Sequence, residues 1–294
     1  MKKASTISVG LLMVLLIIAF NLKVNSVNAS EENISIEKNV ESVEEEKDGE
    51  KERKNYYEID FIKGGEYFND GAIISNIVWQ DYGKFERIVI NINELNFDSE
   101  GYKIGAPYKV PCPFMINYER YPIRMYCKVD AGQMLIDDVE NINLNDSKVI
   151  RSIYNIPYME SGTSSFGIDF KKPIKYEVFE LRNPARIVID IKENNENMIF
   201  SNIYSLRSKS SEEIENLSFI EESLMNINST NVRILQSKDD NLFVEEGYYE
   251  KQEDAEKRRA EISSQLSEYN IKLFIEKRTD LSIPNGELKN DLLK

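Results

Sequence analysis

Between Tyr56 and Lys192, apolar and polar positions alternate over short runs bounded by Gly, Asn, Asp or Pro. The runs AIISNIVWQ, ERIVININ, KIGAPYKV, MINYERY, RMYCKV, QMLIDDV, VIRSIYNI, FGIDF, YEVFEL and ARIVIDI are rich in Ile, Val, Tyr and Phe, as strands with buried faces are. No sustained 3.6-residue period interrupts them. Many short strands separated by turn residues predict an all-β sandwich or barrel, and a sandwich is the expectation carried forward. Two of the runs echo each other: in YGKFERIVININ and VFELRNPARIVIDIK an Arg leads into alternating aliphatics that close on Asn or Asp. Both read as core strands of one sandwich. In the second, Ile187 and Ile189 share one face while Val188 and Asp190 share the other. Pro184 stands at the strand's start, where a missing amide donor is tolerated. Arg186 and Asp190 are expected as a strand-end ion pair or as rim contacts.

After Lys192 the polar stretch ENNENMIFSN forms a joint, and the pattern changes. IYSLRS reads as a strand. SSEEIENLSFIEESLMNI opens with Ser210-x-x-Glu213, a capping-box spacing, and places Leu217, Ile220, Leu224 and Ile227 at helical intervals. NVRILQ and NLFVEEGYY read as strands. EKQEDAEKRRAEISSQLSEY reads as a second helix with Ala255, Ile262, Leu266 and Tyr269 on one side, and IKLFIEKR closes the unit. The order β-α-β-β-α-β is the ferredoxin-like α+β arrangement.

The N-terminus carries two lysines, an apolar run from Val9 to Phe20, and Val27-Asn28-Ala29 before Ser30, the layout of a secretory signal with a small-residue cleavage site. About 20 apolar residues are needed to cross a bilayer as a helix, so cleavage after Ala29 is expected, with an uncleaved anchor as the alternative. Either way the remainder is extracytoplasmic, secreted or wall-associated, and membrane contact is expected only if the segment is uncleaved. From Ser30 to Asn55 the chain is charged and lacks aromatics, and it reads as a disordered acidic linker. The expected organisation is a signal peptide at 1–29, linker at 30–55, β-sandwich at 56–193, joint at 194–201, α+β domain at 202–280 and tail at 281–294.

Charge and composition then narrow the chemistry. The 294 residues carry a formal charge of −14. Loss of the signal removes Lys2, Lys3 and Lys23 and no acid, taking the charge to −17. A general nucleic-acid binder is excluded, because a polyanion needs clustered cations. There is no histidine, which rules out Ser-His and Cys-His nucleophile pairs and His-ligated zinc. No metal or cofactor is expected. Ser35-Ile36-Glu37-Lys38 fits S-x-x-K, but no S-D-N or K-T-G follows, so the match is chance. A carboxylate pair of the glycosidase kind is the chemistry left open. Cys112 and Cys127 flank a short aromatic run; export permits a disulfide between them, and a pair of buried free thiols is the alternative.

DYGKFERIVININ, EGYKIGAPYKV and IYNIPYMESGTSSFGIDFKKPIKYEVFELRNPARIVIDIK together resemble the AMIN-like domain of exported bacterial proteins, over 56–193. Glu100-Gly101-Tyr102 stands where that family has Pro-Gly-Tyr, and Tyr82 where a His is common. The segment LFVEEGYYEKQEDAEKRRAEI resembles the second half of SPOR domains, with Gly247, Tyr249 and Ala255 in corresponding places. The first half departs, because YSLRSKSS lacks the Gly-aromatic turn. These resemblances imply a non-catalytic cell-envelope protein that binds peptidoglycan glycan strands or envelope proteins. A scaffold in a division or sporulation complex and a carboxylate-dependent glycan-cleaving enzyme are the competing readings.

In a β-α-β-β-α-β unit both helices cover one sheet face, which leaves the other free. Alternation puts Ser205 together with Arg207 on the first strand and Phe243 with Glu245 on the third, and the SPOR resemblance, counted from Gly247, implies that the latter two face the open side. An aromatic beside hydrogen-bonding groups on an open sheet suits a sugar chain, so these four are the candidate glycan-binding residues. The same pattern also fits an ordinary solvated sheet with one exposed Phe.

Overall fold

A computed structural model describes residues 37–39, 42–43, 56, 61–67, 71–99, 101–131, 142–157, 162–196 and 200–286. The expected signal peptide, the QMLIDDV run and the last residues of the tail fall outside the described residues.

Twelve of the strands build two facing sheets that share one core. The first sheet is six-stranded, in the order β1 (Glu37–Asn39), β3 (Phe61–Gly64), β7 (Phe114–Glu119), β8 (Arg124–Val129), β10 (Ser164–Phe170), β9 (Ile150–Ile156). The second runs β2 (Ser42–Val43), β11 (Ile174–Leu181), β12 (Arg186–Glu193), β5 (Glu86–Asp98), β4 (Ala72–Asp81), with β6 (Gly101–Pro107) paired to β5. Ile62, Ile116, Met125, Phe166 and Ile168 from the first sheet meet Ile88, Ile90, Ile187, Ile189 and Ile191 from the second in a single buried cluster. At about 25 cal/mol per Å2 of apolar surface removed from water, this core is the main source of the sandwich's stability.

The two echoing phrases are hydrogen-bonded neighbours. β5 and β12 run antiparallel, with Ile187 opposite Ile90, Ile189 opposite Ile88, and Asp190 opposite Arg87. Antiparallel pairing of two strands that each hold a cation near one end brings the cation of one onto the anion of the other. Arg87 therefore grips Asp190 with Nε at 2.5 Å and Nη2 at 2.8 Å, both side chains buried. This corrects the expected Arg186 and Asp190 pair.

Residues 30–55, read as a spacer, contribute two edge strands. β1 pairs with β3 and β2 with β11, both in parallel. An edge strand is held by main-chain hydrogen bonds, so a polar sequence can supply one, and it covers donors and acceptors that an open edge would expose.

β12 ends at Glu193 and β13 (Ile203–Arg207) opens a four-stranded sheet. There follow α1 (Ile214–Asn226), β14 (Arg233–Gln236), β15 (Leu242–Tyr249), α2 (Gln252–Ser267) and β16 (Phe274–Arg278). The strand order β14-β15-β13-β16 has the first and last strands adjacent, as the β-α-β-β-α-β order requires. Leu217, Ile220 and Leu224 of α1 and Ile262 and Leu266 of α2 pack against Leu206, Ile234 and Val244 of the sheet. The capping box is not formed: Glu213 is the N-cap without a side-chain hydrogen bond, and Ser210 turns away to Arg207.

The α/β lobe does not hang on a free joint. Residues Ile36–Lys294 cluster as one compact unit. Tyr154 and Ile156, on the outer side of the first sheet, belong to the same apolar cluster as the helices of the α/β lobe. Tyr154 lies across Gly167 of β10, where an added Cβ would sit 2.4 Å from the ring. No helix among the described residues is long and apolar enough to cross a membrane.

Candidate functional site

Ser205, Arg207, Phe243 and Glu245 do come together on one face of the four-stranded sheet. Ser205 donates to Glu245, and the Arg207 guanidinium lies 3.3 Å from the centroid of the Phe243 ring. The expectation that this face is open is corrected: all four residues are 0% exposed. Two pieces of chain cover it. The turn between β7 and β8 brings in Glu119, Arg120 and Tyr121, and the segment after β16, expected as a tail, folds back across the sheet as far as Gly286.

What lies between is a lattice of alternating charges. Arg124 donates to Glu119 at 2.7 Å and to the carbonyl of Ile234 at 2.6 Å. Arg233 bridges Glu119 and Glu245, and also donates to the carbonyls of Arg120 and Tyr121 at 2.9 Å. Arg278 joins Glu245 and the Tyr121 carbonyl, and Arg207 donates to Glu276 at 2.8 Å and to the Asn285 carbonyl at 2.8 Å. At the rim Arg120 holds Asp280 through Nε at 3.0 Å and Nη2 at 2.8 Å. Tyr121, at φ 59°, turns its carbonyl into this cluster from the left-handed region, which non-glycine residues rarely adopt.

Burial alone would raise the Glu245 carboxyl. The guanidiniums of Arg233 and Arg278 and the Ser205 hydroxyl outweigh it and hold the group below the usual carboxylate range. Glu119 is likewise held low, against its burial, by Arg124 and Arg233. A buried charge is tolerated only when paired and hydrogen-bonded, so these side chains form a packed joint between lobes with no room for a sugar.

Cys112 and Cys127 are both buried and both free, so the disulfide is not formed. Burial pushes the Cys112 thiol up to about 12 and raises that of Cys127 as well, which makes both poor nucleophiles. Among the described residues no cluster of His, Cys, Asp or Glu could hold a metal ion.

A concave surface lies on the other side of the same sheet, between the two helices. It is a groove of about 1160 Å3 with Ile220, Ile262, Leu266 and Leu273 along its lining. Phe219 of α1 and Tyr269 beyond α2 meet edge to face, ring centroids 5.9 Å apart at 72°, and both remain nearly half exposed. Lys209, Arg259 and Lys272 line it against a single acid, Glu256, and among the described residues none of these cations is in an ion pair. Lys209 rests near the Phe274 ring at 5.6 Å. The sequence reading overlooked this site. One signal was present: Phe219 falls off the Leu217-Ile220-Leu224 stripe of its helix, so burial in the lobe core could not account for it.

No protein-family model matches the chain, and no curated protein is significantly similar to it in sequence.

Proposed function

We propose that the protein is an exported, non-catalytic component of a bacterial cell envelope, in which two fused lobes hold a wall-associated partner at the groove between α1 and α2. One observation carries this reading. The sheet face that the SPOR resemblance implied for glycan is occupied by packing between lobes, whereas the helix side presents an open groove lined by aromatic rings and by cations that no carboxylate among the described residues holds. Export rests on the leader pattern of residues 1–29 and the envelope on the AMIN-like and SPOR-like resemblances. The non-catalytic part of the reading is supported by the lack of histidine and by a groove lined by one carboxylate, where glycoside cleavage uses two.

The test is retention of the mature chain, residues 30–294, on purified walls. Retention on intact walls that is lost when wall proteins are stripped identifies a protein partner. Equal retention on stripped sacculi makes peptidoglycan the partner. No retention on either overturns the reading, and release of soluble muropeptides overturns its non-catalytic part.

A second reading, an interaction scaffold in a division or sporulation complex, is favoured by the hairpin of β5 and β6. Phe97 and Tyr102 sit opposite each other across its strands, with relative exposures of 76% and 50%. If that surface makes the contact, Phe97→Ser with Tyr102→Ser abolishes wall retention while groove substitutions leave it intact.

A further inference from the structure

The chemistry of the groove also specifies its occupant. Resting on the reading just given, we infer that the groove receives an acidic, amphipathic peptide segment of a partner protein, with apolar side chains against Phe219 and Tyr269 and carboxylates against Lys209, Arg259 and Lys272.

Three features converge on that class. Size comes first: at about 1160 Å3 the groove exceeds the roughly 300–1,000 Å3 typical of small-molecule clefts and suits a length of polymer. Next is its relief. The helices flank an apolar floor, Ile220, Ile262, Leu266 and Leu273, which is how grooves that accept one face of an amphipathic helix are built. Last is charge. In a chain with formal charge −14 the groove gathers three cations against Glu256 alone, whereas the arginines beneath the sheet are held by carboxylates and carbonyls. Cations left in water are available to a ligand, and a patch opposite in sign to the rest of the surface steers an anionic partner to that spot. A neutral glycan would use the rings and leave the cations unmatched.

The mature chain, residues 30–294, is titrated into a fluorescein-labelled synthetic amphipathic peptide carrying Leu and Phe on one face and Glu on the other. Counterparts with Gln or Lys in place of Glu are run beside it. The acidic peptide is expected to bind, and its counterparts to bind about tenfold more weakly or less. Arg259→Glu with Lys272→Glu should weaken the acidic peptide about tenfold or more and relieve the discrimination against the Lys peptide. Phe219→Ala should weaken all bound peptides several-fold. Unchanged circular dichroism melts establish that these exposed substitutions leave the fold intact. Failure of the acidic peptide to bind, equal binding of the Lys peptide, or indifference to the double charge reversal overturns the inference. Displacement of the acidic peptide by purified glycan chains at lower concentration also overturns it, in favour of a saccharide site. Wall retention of the same variants is measured separately. A wild-type chain that is retained by walls and indifferent to peptide charge loses this inference alone, whereas one not retained by walls loses the underlying reading.

Discussion

The two faces of the four-stranded sheet differ in what their charges do. Beneath it Arg207 and Arg278 are buried and Arg233 is largely so, and each is bound to Glu245 or Glu276 and to main-chain carbonyls. Above it Lys209, Arg259 and Lys272 line an open groove with no carboxylate bound to them among the described residues. Side chains of the same class are joinery in one place and available to a ligand in the other. The determinant is burial: a desolvated guanidinium is held against carboxylates and carbonyls, and although Nε and Nη1 of Arg278 make no hydrogen bond, they are shut away from solvent and from any ligand. An aromatic beside a cation marks a binding surface only where water still reaches both.

The largest effect should come from breaking the closed face. Glu245→Ala takes from Arg278 the carboxylate it is hydrogen-bonded to and leaves Arg233 with Glu119 alone, and removing one partner of a buried pair costs about 3–5 kcal/mol. Urea unfolding followed by circular dichroism measures this; a loss below about 1 kcal/mol would show the lattice to be incidental. Replacing Glu245, Arg233 and Arg278 together by Leu or Met should recover much of the loss, because an apolar joint of similar volume carries no desolvated charge.

Acid should act on the same face less severely, since protonation removes charge without removing atoms. Glu119 and Glu245 titrate below the usual carboxylate range when folded, so unfolding at low pH takes up protons. Their contribution is fully present above the unfolded carboxylate pKa of about 4.3 and is lost as pH falls below it through the depressed folded values. Melting temperature recorded from neutral pH down to pH 3 should therefore fall steeply at the acid end. Glu245→Gln, already destabilised, should show a shallower fall; an identical slope would place the acid sensitivity elsewhere.

At the two buried thiols of the sandwich, chemistry should be silent. Cys112 and Cys127 should resist aromatic disulfide reagents at pH 8 until denaturant is added, and reductant should leave the melting temperature within about 1 °C. Stoichiometric labelling of the native protein would contradict the burial of both thiols.

Legibility in the sequence follows the same division. Strands and helices were readable because each carries its own period: RMYCKV coincides with β8, and Leu217, Ile220 and Leu224 mark the buried side of α1. Which residues share a face was readable too, and Ser205 meets Glu245 as alternation requires. What covers that face was not, because Tyr121 and Asn285 lie far from β13 in the chain and nothing periodic announces their arrival. Edge strands β1 and β2 were hidden for a related reason: main-chain pairing leaves no side-chain pattern. The echo of ERIVININ and ARIVIDI suggested two core strands, but antiparallel register, not similarity, put Arg87 on Asp190.

The smallest stability effect should belong to the open groove. Arg259→Gln removes a charge that no carboxylate among the described residues holds, and Phe219→Ala removes a ring that is already 45% exposed and touches Tyr269 at its edge. Surface substitutions away from cavities, caps and buried networks usually change stability by no more than about 0.5 kcal/mol. Denaturant midpoints for both variants should therefore lie close to wild type, although both residues line the groove. A loss from Phe219→Ala comparable to that of Glu245→Ala would mean that the ring is part of the lobe's core, and the groove would then be a gap in packing. Stability indifferent to these residues, together with peptide binding that depends on them, is the combination that separates a surface kept open for a ligand from one closed to hold the fold.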